Sequence, residues 1–330
     1  VSDPRDPRDS HAPEDRVPLP ASLRKGAAGG GKLPPEAIKA IPVRHYGRWA
    51  GAAVVLALLA VLVLAFVNGD FTWGTVGEYL TFETILKGAA NTLWITLLSM
   101  VIGVALGTVL AVMRLSRNPV LSTVSWGYIW FFRGTPVLVQ LFLWYNLAYL
   151  FPILNLGFYR DEMTDVMTPF LAALLGLGLN EAAYMAEISR AGIQSVDEGQ
   201  TEAAHALGMS SSRTMRRIVL PQAMRVIIPP TGNEFINMLK TSSLAYAITF
   251  GELMNASVTI YSRNLAVMEL LLVATIWYLI LTTVFSIGQY YLERHFARGA
   301  SRNLPPTPLQ KIRAQVLSLR NPSKVGGKVV

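Results

Sequence analysis

The sequence contains no cysteine. Disulfides, thiolate metal sites and cysteine nucleophiles are therefore excluded together. Its four histidines, His11, His45, His205 and His295, are scattered and none stands in an H-E-x-x-H spacing, so a zinc-dependent hydrolase gains no support. Charge is scarce as well. Asp, Glu, Lys and Arg make up 15% of the 330 residues, against about a quarter in soluble domains. No clustered set of acid, base and metal ligands emerges from which an active site could be built. No catalytic and no metal residues are assigned.

Long apolar runs take the place of that charge, and 52% of the residues are hydrophobic. Roughly 20 residues at about 1.5 Å each cross the hydrocarbon layer of a bilayer. Runs of that order occupy 49–67, 89–113, 120–152, 168–189, 222–250 and 266–292, so six spans are expected. The third is interrupted by "RGTP" at 133–136. The fifth is interrupted by Pro229, Pro230 and the polar "KTSS" at 240–243, and a break or bend is expected there. Backbone groups freed at such breaks need partners inside protein or along a wet cavity.

The net charge of +8 is a matter of topology rather than of nucleic acid, which is not expected as a partner. Alternate loops of a six-span chain place 24 of the 29 Lys and Arg on one side, with Lys87, Arg160 and Arg263 on the other. Such an excess marks the cytoplasmic face, so both termini are expected in the cytoplasm. Residues 1–48, rich in Pro, Asp, Arg and Gly, read as a disordered cytoplasmic tail. The run at 49–67 starts too late and is too long for a secretory signal and reads as a transmembrane helix. Residues 298–330 read as a basic cytoplasmic tail. "GAAGGGKL" at 26–33 imitates a phosphate loop but has Leu33 where Ser or Thr should meet magnesium, with no strand before it or helix after it.

One polar stretch between apolar runs stands out, "SVDEGQTEAAHALGMSSSRTMRRIVLP" at 195–221. Ser195 with Glu198 three residues on forms a capping box, Gly208 is a helix stop and Pro221 a second one. A helix of about ten to twelve residues results, marginal in water unless something packs on it. Ala203, Ala204 and Leu207 give it a shallow face for close approach, with Gln200 and Glu202 at the rim. The spacing E-A-A, three residues, Gly, nine residues, Ile, one residue, Leu-Pro fits Glu202, Ala203, Ala204, Gly208, Ile218, Leu220 and Pro221 without a gap.

That pattern resembles the signature of the membrane subunits of bacterial ABC importers. The chain is similar to the polar amino acid permease family within that group. Its "FFRGTPVLVQLFLWY" at 131–145, "AAYMAEISRAGIQSV" at 182–196, "GQTEAAHALGMS" at 199–210, "LPQAMRVIIPPTGNEFINMLKTSSL" at 220–244 and the later "YYLERHFARG" look like that family's segments in the same order. Trp130 stands where some members have Glu, and Lys240, Thr241, Ser242 and Ser243 where many have K-D-T-S. The resemblance implies an all-α polytopic membrane bundle: the five-helix core of a type I (MetI-like) ABC importer over residues 84–297, plus an extra N-terminal transmembrane helix. It implies a coupling helix that docks on a cytoplasmic ATPase, with Gln200, Glu202, Ala203, Ala204, Leu207, Gly208, Ile218 and Pro221 as coupling residues. Implied partners are an ABC ATPase dimer carrying the ATP and Mg, a second permease subunit, identical or paralogous, an extracytoplasmic amino-acid-binding protein and membrane lipid. The chain itself is expected to bind no cofactor and catalyse nothing. The expected function is import of a polar amino acid, whether glutamate, glutamine, aspartate or a basic one, across a bacterial cytoplasmic membrane by alternating access.

Charged side chains near the bilayer centre cost about 2.5 to 3.5 kcal/mol on insertion scales and ask for a partner or a wet cavity. Asn180, Glu181, Glu234 and Asn237 are candidates for lining a pathway, beside half-helix ends with oriented dipoles. Glu187 with Arg190 reads as a helix-end pair, and Arg133 and Lys240 as snorkelling side chains. Gly103 and Gly107 form a small-xxx-small pair suited to a helix contact. The alternative function is a secondary amino acid transporter driven by an ion gradient, with the intramembrane Glu residues as proton or sodium sites; inverted repeats would favour it, and none is detected.

Overall fold

The computed structural model describes residues 46–69 and 72–297. The expectations for most of the N-terminal tail, the phosphate-loop imitation at 26–33 and the basic tail at 298–330 lie outside the described residues. The chain divides into two compact units, Val1–Gly69 and Asp70–Val330. The described part of the first is one helix, α1, Tyr46–Val67, of 22 residues. At about 1.5 Å per residue it is roughly 33 Å long.

The second unit is built from helices α2 (Trp73–Leu80), α3 (Glu83–Arg114), α4 (Pro119–Gly134), α5 (Val137–Tyr145), α6 (Pro169–Gln194), α7 (Glu198–Ala206), α8 (Leu220–Thr241), α9 (Leu253–Asn264) and α10 (Val267–Ala297). Strands β1 (Ile153–Asn155) and β2 (Arg160–Glu162) form a small antiparallel hairpin between α5 and α6. Among the described residues, three helices are long and apolar enough to cross a membrane, and they correspond to α3, α6 and α10.

The principal seam joins α3 to α6, and glycine makes it possible. A Cβ on Gly103 would stand 2.5 Å from Glu181 Cγ, and one on Gly107 would stand 2.6 Å from Met185 Cβ. The two backbones meet where any side chain would keep them apart, as the glycine spacing predicts. Around the seam, Ile95, Met100, Leu177 and Met185 join Leu141, Met238 and Ile248 in one buried cluster. A second cluster, containing Val76, Ile85, Leu253, Leu270 and Val273, ties α2, α3, α9 and α10 together.

Two expectations about spans resolve differently. The third run does break at "RGTP": α4 ends at Gly134, Thr135 is extended and α5 starts after Pro136. The fifth does not break at its prolines. α8 continues through Pro229 and Pro230 to Thr241 and only then tightens into a 3-10 stretch, Ser242–Ile248. Gln289 of α10 donates to Pro229 O (3.1 Å) and to Asn233 Oδ1 (2.9 Å). Gln289 thus ties this stretch of α8 to α10, and the helix is continuous although both prolines lack an N–H group.

Glu252, fully buried, caps α9 by accepting from the N–H groups of Met254 (2.8 Å) and Asn255 (2.7 Å), and it also accepts from Tyr278 Oη (2.7 Å). Three donors make this carboxylate tolerable in a dry setting.

Candidate coupling segment and intramembrane polar residues

α6 runs one turn further than its apolar pattern, to Gln194, and this decides which residue caps α7. Ser195 is consumed as the C-cap of α6, its hydroxyl donating to Gly192 O (2.8 Å). The expected Ser195–Glu198 capping box is therefore absent. Asp197, with φ −56° and ψ 129°, is the N-cap, and its carboxylate accepts from Gly199 N (2.8 Å). The helix it starts has nine residues, shorter than expected.

Its end is closed by backbone alone. Gly208 has φ +76°, its N–H donates to His205 O (2.9 Å), and Met209 N–H donates to Ala204 O (3.0 Å). These two bonds form a Schellman motif with glycine in the left-handed position. Local bonds close this short helix at both ends, and the buried Ala204 packs it against the rest of the chain.

Gln200, Ala203 and Leu207 recur at i, i+3 and i+7 and so share one face. All three are exposed, Leu207 at 83%, as are Glu202 and Gly208. Ala204 departs from the expectation, because it turns inward and is buried at 4% exposure. Ile218 is half-buried and Pro221 exposed. Pro221 is not a stop either. A helical path runs from Ser211–Thr214 through a wide π turn, Met215–Val219, into α8, whose first turn holds Pro221. The π turn just before it departs from the i→i−4 pattern, and Pro221, without an N–H, follows directly in the first turn of α8.

The four pathway candidates separate. Asn180 is buried and engaged: its Nδ2 donates to Phe132 O (2.8 Å) and to Gln140 Oε1 (3.3 Å). Gln140 donates in turn to Phe132 O (3.0 Å), Thr135 O (3.1 Å) and Thr135 Oγ1 (2.7 Å). The carbonyls freed by the α4–α5 break thus find partners inside the protein, as a lipid setting requires. Gln140 was not foreseen, although a lone amide four residues past Pro136 in an apolar run is a readable signal. Glu181 is 3% exposed and its Oε1 has no hydrogen-bond partner in the structure. Glu234 on α8 is half-buried. Asn237, one turn beyond Glu234, is exposed.

The other charges find local uses. Arg190 Nη2 lies 2.6 Å from Glu187 Oε2, the expected helix-end pair. Arg133 stacks over the Tyr184 ring at 5.1 Å from its centroid rather than merely snorkelling. Glu269 accepts from Thr72 N (3.1 Å).

Residues 100–298 match the family model described as "Binding-protein-dependent transport system inner membrane component". The chain is 51% identical over 279 residues to the arginine transport system permease protein ArgU of Corynebacterium glutamicum, covering 84% of this chain and 88% of that one. It is similar to a solved structure titled as an amino acid ABC transporter with histidines, at 36% identity and a TM-score of 0.61, covering 69% of this chain and all of that one. A chain of the MetNI methionine ABC transporter in an inward-facing conformation matches at 17% identity and a TM-score of 0.52, covering 64% of this chain and 95% of that one, a likeness of fold.

Proposed function

Since the chain belongs to the binding-protein-dependent transport system inner membrane component family, and within it to the amino acid ABC permeases, we propose that it is the membrane path of an ATP-driven importer for a basic amino acid. α7 is the piece through which a separate cytoplasmic ATPase dimer moves it. The observation that carries this reading is the outward face of α7. Gln200, Ala203 and Leu207 stand exposed on a helix that is capped and terminated by its own bonds. A preformed knob of small residues lets a partner backbone come close and transmits movement as a rigid unit.

In this reading both termini and α7 are cytoplasmic, and residues 84–297 form the permease domain. α1 is an added span, and the flanking tails lie in the cytoplasm. ATP and Mg bind the ATPase, and this chain carries out no chemistry. Solute crosses at the junction with a second permease subunit, delivered by an extracytoplasmic binding protein. A basic substrate is supported by the half-identity with an arginine permease.

Reconstitution with the ATPase and the binding protein in liposomes tests this. Uptake of arginine should require ATP and fall at least about tenfold, a loss of roughly 1.4 kcal/mol, in the Glu181→Gln, Glu234→Gln double variant. Uptake of glutamate in preference to arginine would overturn the substrate class. Gradient-driven uptake by this chain alone would instead establish the secondary transporter.

A further inference from the structure

We propose that the helical run from Ser211 into the start of α8 carries a binding surface for the headgroups of anionic phospholipids. Arg213, Arg216, Arg217, Leu220 and Arg225 are all exposed along this run, a basic stripe in whose middle the π turn Met215–Val219 departs from regular α-helical spacing. Among the described residues, none of these four arginines has an ion pair or a hydrogen bond; the ion pairs are Lys87 with Glu83 and Arg190 with Glu187. Residues 298–330 contain no Asp or Glu to supply a partner.

The setting favours lipid over water. Met215, Leu220 and Val226 are exposed large apolar side chains beside the arginines, the mixture that suits a headgroup boundary. The segment precedes the membrane-bound part of α8, and side chains on a helix lean toward its N-terminus. The guanidinium groups are thereby aimed back out of the hydrocarbon. Arg213 to Arg217 covers about 6 Å of helix axis, which matches the depth of one headgroup layer, about 5 to 7 Å on each side of the hydrocarbon core. Arg225 lies about 12 Å further along and joins only by snorkelling. A guanidinium fork pairs with two phosphate oxygens at once, so arginine is the apt residue here. The knob of α7, not this stripe, presents the small residues fit for a close protein contact. The inference rests on the orientation given above only in setting this stripe at the inner leaflet.

Native mass spectrometry of the purified complex of permease and ATPase, with phosphatidylglycerol or phosphatidylcholine added, reads the surface without ATP or substrate. Its result is therefore separate from any uptake assay. The wild type should retain phosphatidylglycerol in preference to phosphatidylcholine. The Arg213→Gln, Arg216→Gln, Arg217→Gln variant should lose that preference several-fold with the ATPase still bound. The matching Arg→Lys triple variant, which keeps charge and guards against a folding defect, should retain most of it, and raising the salt should weaken it. Equal retention by wild type and Gln variant would overturn the proposal. So would loss of the ATPase from the Gln variant with lipid retention unchanged, which would hand the stripe to the ATPase.

Discussion

The α3–α6 seam and the α7 knob use the same residues, glycine and alanine, to opposite ends. On the seam the absent side chains are answered within the chain, where Gly103 and Gly107 receive the side chains of Glu181 and Met185. On α7 the outward face is left open among the described residues: Ala203 and Leu207 are exposed, while Ala204 turns inward. Small residues that are filled from within build the fold. Small residues left open, on a helix capped at both ends, mark where another molecule belongs.

Substitutions sharpen or break this contrast. The largest effect is expected for Gly103→Leu, where even a Cβ would collide with Glu181. Overpacking of a tight seam costs about 3 kcal/mol or more, so the variant should lose thermal stability in detergent and, with it, transport. Next comes Ala203→Arg, which touches no internal contact. Stability should be unchanged while affinity for the ATPase falls about 30-fold, the cost of about 2 kcal/mol at the centre of an interface, as read by co-purification or titration. Destabilisation of the bundle by this variant would erase the distinction between the two regions.

Smaller still is Asp197→Ala, which removes the N-cap of α7 at about 1 kcal/mol. Stimulated ATPase activity should drop modestly, with faster amide exchange confined to residues near 198–206. Ser195→Ala should do less, within about 0.5 kcal/mol, because its hydroxyl serves α6. If Ser195 proved the more damaging of the two, the assignment of the cap would be reversed.

Features set by local backbone rules were legible in the sequence. Gly208 announced a left-handed helix end, Pro136 a break, and the Gly103–Gly107 pair a close helix contact, and each is present. Features set by competition between neighbours were not. Ser195 and Asp197 are both good caps, and only the length of α6 decides between them. Pro229 and Pro230 lie in a continuous helix, whose packing against α10 through Gln289, some 60 residues away in sequence, no local pattern shows. The hairpin at 153–162 and helix α9 lie between the apolar runs, and neither has an apolar run of its own to announce it. α9 depends on Glu252, whose role as a buried cap shows only when Tyr278 and the α9 backbone are in place. The polar span residues were legible as a set but not in their parts: Asn180 serves the α4–α5 break, whereas Glu181 is left without a hydrogen bond.

The absence of cysteine allows the central claim to be tested with single introduced thiols. Leu207→Cys and Ala204→Cys, each carrying a thiol-linked photocrosslinker, would be irradiated in the assembled transporter. The account predicts that Leu207→Cys captures the ATPase subunit and Ala204→Cys captures only the permease's own residues. Capture of no ATPase from position 207 would contradict it.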